Sequence, residues 1–207
     1  MRRADRRPDA AGARGRVGHA DGMDADGTAA VRRAGARDFE EWFALFEAVA
    51  AEGRWIGREA PLDRAERRAV FERSIEADDA LSLVAEMDGR LVGALGADLR
   101  RGVAELGMFV GGNWRGHGVG SALLASFLDW ATELGAHKAA LQVWPHNEAA
   151  IALYEKFGFL EEGRLRRHYR RRNGELWDAI EMGRVLDETS PGSPYGRPEG
   201  CPEARVG

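Results

Sequence analysis

The sequence predicts an α+β (mixed α/β) fold with elements in the order βααβββαβαββ. Two hairpin signals and two helical periodicities carry this reading. Asp88-Gly89 and Asn173-Gly174 are two-residue turn signals, each between runs rich in apolar residues. Phe39, Phe43 and Phe46 recur at helical spacing, as do Leu123, Leu124, Phe127, Ala131 and Leu134. Hairpins interspersed with separate helices imply one sheet with helices on its faces.

Each element has its own signal. Residues 29–33 are a short strand in which Ala30 and Val31 are the few apolar residues. Asp38 reads as a helix N-cap, with Glu41 completing a capping box, and the helix runs to about residue 51. Residues 53–57 form a loop that carries Trp55. Asp63 opens a second helix with Ala65, Val70, Phe71 and Ile75 at roughly helical intervals. A three-stranded antiparallel meander follows over 81–87, 90–98 and 103–110, turned at Asp88-Gly89 and Arg101-Gly102. A helix is expected over 118–134, closed by Gly135. Residues 138–143 alternate as a strand. Asn147 caps a helix to Phe157, and Gly158 ends it. Residues 159–169 and 175–185 make the closing hairpin.

Composition narrows the function classes. The chain has 207 residues, with 30 Lys and Arg against 34 Asp and Glu, for a net charge of −4. That balance is neither that of a basic nucleic-acid binder nor that of a solvating acidic chain. No apolar run is long enough to cross a bilayer, so no membrane partner is expected. Residues 1–26 and 188–207 lack apolar periodicity and are expected as disordered tails around a domain over 27–187. Met23 is a second candidate start. The single cysteine, Cys201, excludes an internal disulfide framework and a Cys-based metal site, and it fits a reducing cytoplasm. His19, His117, His137, His146 and His168 have no ligand spacing, so no metal is expected.

Residues 115–120, Arg-Gly-His-Gly-Val-Gly, carry the strongest chemical signal. Pyrophosphate needs backbone N–H groups converging at a helix N-terminus, with no side chains in the way. Gly116, Gly118 and Gly120 remove the side chains, and Arg115 and His117 add donors at the rim. A P-loop needs Lys after its last glycine, where this chain has Ser121. A dinucleotide fingerprint should follow its strand at once in a parallel βαβ unit, whereas here an antiparallel meander precedes it. A turn without a ligand stays open on spacing alone.

A second segment, Asn147-x-x-Ala150-x-x-Leu153-Tyr154-x-x-x-Gly158-Phe159, stands downstream of Arg115-x-x-Gly118-x-Gly120. Together they resemble the GNAT superfamily of acetyl-CoA-dependent N-acetyltransferases, over nearly the whole core. Residues 161–164 and 178–182 are similar to its amino-acid and polyamine acetyltransferase members. The resemblance implies a mostly antiparallel sheet of about seven strands flanked by about four helices. It also implies acetyl-CoA as co-substrate, held by Arg115, Gly116, His117, Gly118, Val119, Gly120 and Ser121. Main chain at Met108, Phe109 and Val110 would then hold the pantetheine arm, and Asn147 would contact it. The implied reaction is direct acetyl transfer to a primary amine of a small molecule in a ternary complex. A protein N-terminal or lysine acetyltransferase and a non-catalytic acyl-CoA-binding module remain alternatives. A homodimer is in keeping with the family.

Chemistry independently makes sense of these residues. A neutral amine attacks a thioester, an oxyanion develops and a thiolate leaves. The oxyanion needs a fixed backbone donor, and Gly107 is read as a bulge that interrupts its strand to expose one. Tyr154 is the candidate general acid, its phenol near pKa 10 facing a thiolate of about 8.5. Asn147 and Tyr154 are spaced to share a helix face. Glu105 is the candidate base. It matters little for an α-amine near pKa 8, which costs about 1.4 kcal/mol to deprotonate at pH 7. An amine near 10.4 costs about 4.6 kcal/mol. Bland readings stand beside these: a core-edge tyrosine, a pure N-cap and a solvated glutamate. The resemblance implies that Trp55, Ile56 and Glu59 wall an acceptor site; by position alone they simply join two helices. The arginine-rich stretch 164–172 is read as a solvated edge strand kept from aggregating by charge, or as a surface for RNA, an acidic protein or the CoA 3′-phosphate.

Overall fold

The computed structural model describes residues 29–187; the two expected tails, with Met23 and Cys201, lie outside them. Along the chain, β1 (Ala30–Arg33) leads through a 3-10 turn to α1 (Phe39–Ala51) and α2 (Arg64–Glu76). Then come β2 (Ala80–Met87), β3 (Arg90–Arg100), β4 (Val103–Val110), α3 (Val119–Glu133) and β5 (Lys138–Val143). The chain continues through α4 (Glu148–Lys156), β6 (Leu160–Arg170) and β7 (Leu176–Val185). The expected element order therefore holds. All seven strands form one sheet in the order β1-β2-β3-β4-β5-β7-β6. Every neighbouring pair is antiparallel except β4 and β5.

The burial pattern follows from helices on both faces. β2 is buried from Ala80 to Ala85 without alternation, because α3 packs over one face and α1 and α2 over the other. On the α3 face, Leu123, Leu124, Phe127 and Ala131 are fully buried, and they join β-strand residues such as Val92, Leu95 and Ala139 in the main core. On the other face, Phe39, Phe43 and Phe71 pack together, with Phe39 and Phe71 edge to face at 5.5 Å between centroids. Phe46 reaches the sheet, 5.0 Å from Phe109. Edge-to-face and tilted aromatic pairs of this kind add about 0.5–1.5 kcal/mol each beyond area burial.

Three local expectations are corrected. Asp38 does precede α1, but its side chain makes no capping bond to the helix. It accepts from the Gly35 N–H at 2.7 Å and from Arg32 Nη1 and Nη2 at 2.7 and 2.8 Å, so the pairing with Arg32 has replaced the box with Glu41. Gly107 is not a bulge. It pairs squarely with Gly96, and the β3–β4 register runs unshifted from Val103 to Val110. The arginine-rich stretch is a solvated edge strand as far as Arg170, where β6 ends, but Arg171 just beyond it is 4 % exposed. By contrast, Asp63 caps α2 through the Glu66 N–H at 3.0 Å, as its position predicts.

Candidate functional site

β4 and β5 share only three rungs, Val103–Lys138, Ala104–Ala139 and Glu105–Ala140. Beyond them the strands part. Residues 106–110 stay paired to β3, and Leu141–Val143 stay paired to β7. The sheet thus opens in its middle, and the backbone edges of β4 and β5 that face each other lose their ladder. A cleft of about 880 Å³ fills the gap, which is in the size range of a small-ligand site. One wall holds Leu106 to Val110; the other holds Gln142, Val143 and Trp144. Parting, rather than a bulge at Gly107, leaves main chain of β4 free of a strand partner on one side.

The glycine loop meets this cleft at the start of α3. Gly116 and Gly118 both have positive φ, +79° and +81°, which only glycine adopts cheaply, and a Cβ on either would meet nothing within 4 Å. Gly118 is the N-cap and offers no side chain. Among the described residues, the N–H groups of Val119, Gly120 and Ser121 have no backbone acceptor, and Ala122 is the first in the helix to bond back. Three open donors at the positive end of a 15-residue helix are the arrangement that suits an anion. The Val119 side chain itself is core, 1 % exposed. Gly120 serves packing, because a Cβ there would sit 2.9 Å from Leu153 Cδ2 and 3.3 Å from Met108 Cε.

The rim cations are arranged differently from expectation. Arg115 folds back from the loop: it donates to the Val110 carbonyl at 3.1 Å and pairs in two bonds with Glu52, at 2.8 and 2.7 Å. Arg115 holds the Glu52 carboxyl below its usual range, and the Trp55 indole N–H bonded to it contributes. This ties the loop to the end of α1. His117 is exposed, with Nδ1 3.0 Å from the Arg115 carbonyl.

Asn147 caps α4, its side chain accepting from the Ala150 N–H at 3.4 Å, and it also lines the cleft. Tyr154 lines the cleft from the same helix, 6 % exposed, its ring 5.8 Å from Phe159. Burial alone pushes its phenol well above the usual value, so it keeps its proton throughout the ordinary pH range. Glu105 is exposed on β4, on the same face as Gly107 and Phe109. It is not itself among the cleft-lining residues. Its cross-strand partner Asp98 is, and sequence reading missed it. Only the β3–β4 register reveals that the two carboxylates are neighbours on one face.

The loop between α1 and α2 closes the opposite side, and Trp55, Ile56 and Gly57 line the cleft. Arg171 holds this loop. Its guanidinium donates to the carbonyls of Gly53, Ile56 and Gly57 at 3.2–3.4 Å, pairs with Glu59 at 3.4 Å, and lies against Trp144 and Trp177. Arg172 adds bonds to the Ala60 and Pro61 carbonyls at 2.7 and 3.0 Å. Two of the arginines read as surface charge are therefore loop anchors. Among the described residues, no group of three or more His, Cys, Asp or Glu could hold a metal ion, and no helix is long and apolar enough to cross a membrane.

Comparison with known proteins agrees with this geometry. Residues 38–159 match the family model described as the acetyltransferase (GNAT) family. The chain is 37 % identical over 120 residues to the L-amino acid N-acetyltransferase AaaT of Escherichia coli (strain K12), covering 55 % of this chain and 74 % of that protein. It is 27 % identical over 144 residues to an L-methionine sulfoximine/L-methionine sulfone acetyltransferase of Pseudomonas paraeruginosa, covering 67 % of this chain and 84 % of that one. Among solved structures it is similar to a phosphinothricin acetyltransferase from Sinorhizobium meliloti in complex with AcCoA. There the TM-score is 0.70 and the identity 25 %, over 84 % of this chain and 95 % of that one.

Proposed function

Since the chain belongs to the acetyltransferase (GNAT) family and is an acyltransferase, we propose that it moves an acetyl group from acetyl-CoA to the α-amine of a free amino acid. The observation that carries this is the coincidence, in one cleft, of the parted β4 edge, the open N-terminus of α3 and the buried phenol of Tyr154. The names of the relatives, which act on amino acids, favour that acceptor class.

The residues fit such a co-substrate. Backbone N–H groups of Val119, Gly120 and Ser121, with bare Gly116 and Gly118 beside them, suit its pyrophosphate. Main chain at Met108, Phe109 and Val110, unpaired toward β5, suits the amide-bearing arm and supplies an N–H donor for a developing oxyanion. When bound, acetyl-CoA supplies an activated acyl group as a thioester. The amine attacks its carbonyl carbon, the C–S bond breaks, and the sulfur leaves with the electron pair. Tyr154, which burial keeps neutral, donates a hydrogen bond to that sulfur as it leaves and gives it a proton. Glu105, or Asp98 directly opposite, takes a proton from the amine. An acceptor near pKa 8 asks little of that base, about 1.4 kcal/mol at pH 7. A reducing cytoplasm suits a chain with one cysteine.

The test is a panel of free amino acids, polyamines and short peptides assayed with acetyl-CoA and a free-thiol readout. Thiol release with free amino acids, well above that with peptides and polyamines, is expected. Release only with peptide N-termini or lysine side chains, or with nothing while CoA still binds, would overturn the reading.

A further inference from the structure

Resting on the amino-acid reading above, we propose that the paired glycines Gly96 and Gly107 are the floor of the acceptor subsite, where the amino acid's side chain lies on bare backbone. They face each other across β3 and β4, both exposed, in the centre of the sheet and both lining the cleft. Glycine inside a strand weakens it and usually marks a bend or a close approach of something else. Neither usual structural reason applies here. The register is unshifted at this pair, and neither residue has positive φ.

Crowding does not require them either. On the same strand, a Cβ at Gly93 would fall 2.9 Å from Val119 Cγ1 and 3.1 Å from the Phe109 carbonyl oxygen, so Gly93 is glycine for packing. A Cβ at Gly96 would meet only the Leu81 carbonyl oxygen at 4.0 Å, and at Gly107 nothing within 4 Å. The pair thus gives up side chains in order to leave a recess, in a place where the fold itself would accept them.

The neighbours define what the recess takes. One step along the same face lies the apolar pair Ala94–Phe109; one step the other way lies the acidic pair Asp98–Glu105. Same-face steps are about 7 Å apart along a strand. A molecule with a cationic or nucleophilic amine and a compact carbon body matches that sequence of acidic, bare and aromatic surface. Phe46 and Trp42 of α1 cover the aromatic end through Phe109, at 5.0 and 6.1 Å.

The test uses Gly96→Val and Gly107→Val in the full chain, with Gly96→Ala and Gly107→Ala carrying it if a valine lowers the melting temperature. Because β-branched residues suit strands and the space is open, melting temperatures equal to or above wild type are expected. Acetyl-CoA affinity should stay within about twofold of wild type, read by calorimetry. The kcat/KM for amino acids with bulky apolar side chains should fall about tenfold or more, with glycine least affected, as expected when the one carbon of Ala or the three of Val fill a pocket. Wild-type turnover of amino acids with variants equal to wild type on every acceptor would overturn the subsite alone. Loss of acetyl-CoA affinity in folded variants would overturn it too, since the recess would then belong to the co-substrate. Wild type that turns over no free amino acid sinks the acceptor reading and the subsite together.

Discussion

The guanidinium of Arg171 lies 4.3 Å from the ring centroid of Trp177, and its Nη2 reaches the Gly53 carbonyl, 118 positions earlier in the chain. One buried cation thereby joins the final hairpin to the wall of the cleft. Removing it leaves three loop carbonyls without this donor and Glu59 without that cation. Arg171→Ala should lower stability by about 2–4 kcal/mol, from a lost buried pair and lost stacking. Arg171→Lys should recover less than half, because an ammonium lacks the planar fork that spans several carbonyls. Chemical denaturation followed by tryptophan fluorescence measures both.

Tyr154 sits in the core and in the cleft at once. Tyr154→Phe keeps the ring and its packing on Phe159 while deleting the proposed proton donor. Its kcat should fall about a hundredfold or more with stability changed by no more than about 1 kcal/mol. Steady-state kinetics at saturating acetyl-CoA, paired with a thermal melt, checks this. An unchanged kcat would remove Tyr154 from the chemistry.

Asp98 and Glu105 face each other across two strands, which makes the base assignment an experiment. Glu105→Gln and Asp98→Asn should differ in kcat/KM, with the true base losing about 10²-fold or more. The loss should shrink as assay pH rises toward the amine's own pKa, because the acceptor then arrives neutral. A pH series on each variant reads out which carboxylate it is.

Asp38 gives the fold an acid limit. Its hydrogen bonds to Arg32, with further help from the Gly35 N–H, hold its carboxyl below the usual range. A depressed carboxyl stabilises the fold fully above the unfolded value, near 3.9, and that stability is lost as pH falls through the lower folded value. Asp38→Asn should therefore cost stability at pH 7 by about 1–3 kcal/mol, yet cost progressively less as pH drops below about 4. Urea melts at pH 7 and pH 3 compare the two.

Gly120 is a packing glycine inside the ligand loop. Gly120→Ala puts a methyl 2.9 Å from Leu153 Cδ2 and 3.3 Å from Met108 Cε, so the ends of these two cleft-lining side chains must turn aside. Turning two flexible side-chain ends off their preferred rotamers costs about 0.5–1.5 kcal/mol. Acetyl-CoA affinity should fall with it, which titration of the folded variant reads.

Most of the fold was legible because its signals are local. Asp88-Gly89, the α3 stripe ending at Gly135, and the Asp63 and Asn147 caps each depend on residues within one turn or one hairpin. What stayed hidden depends on distant partners. Asp38 looks like a helix cap until Arg32 and Glu86 come within reach. Arg171 looks like surface charge until the α1–α2 loop folds over it. Gly107 looks like a bulge because spacing cannot show that its cross-strand partner is another glycine. Of the site, the glycine loop and the Asn147–Tyr154 face were readable from spacing and resemblance. Asp98 was not, since cross-strand register is not a property of either strand alone.

A sheet that divides between β4 and β5 has two edges in its interior. An exposed edge ordinarily recruits another protein strand, which is why most chains blunt it. This one lies inside a cleft lined by residues of α3, α4 and the α1–α2 loop rather than at the outer rim of the sheet. An unpaired strand placed there keeps its hydrogen-bonding groups within the cleft instead of offering them at the outer edge of the sheet.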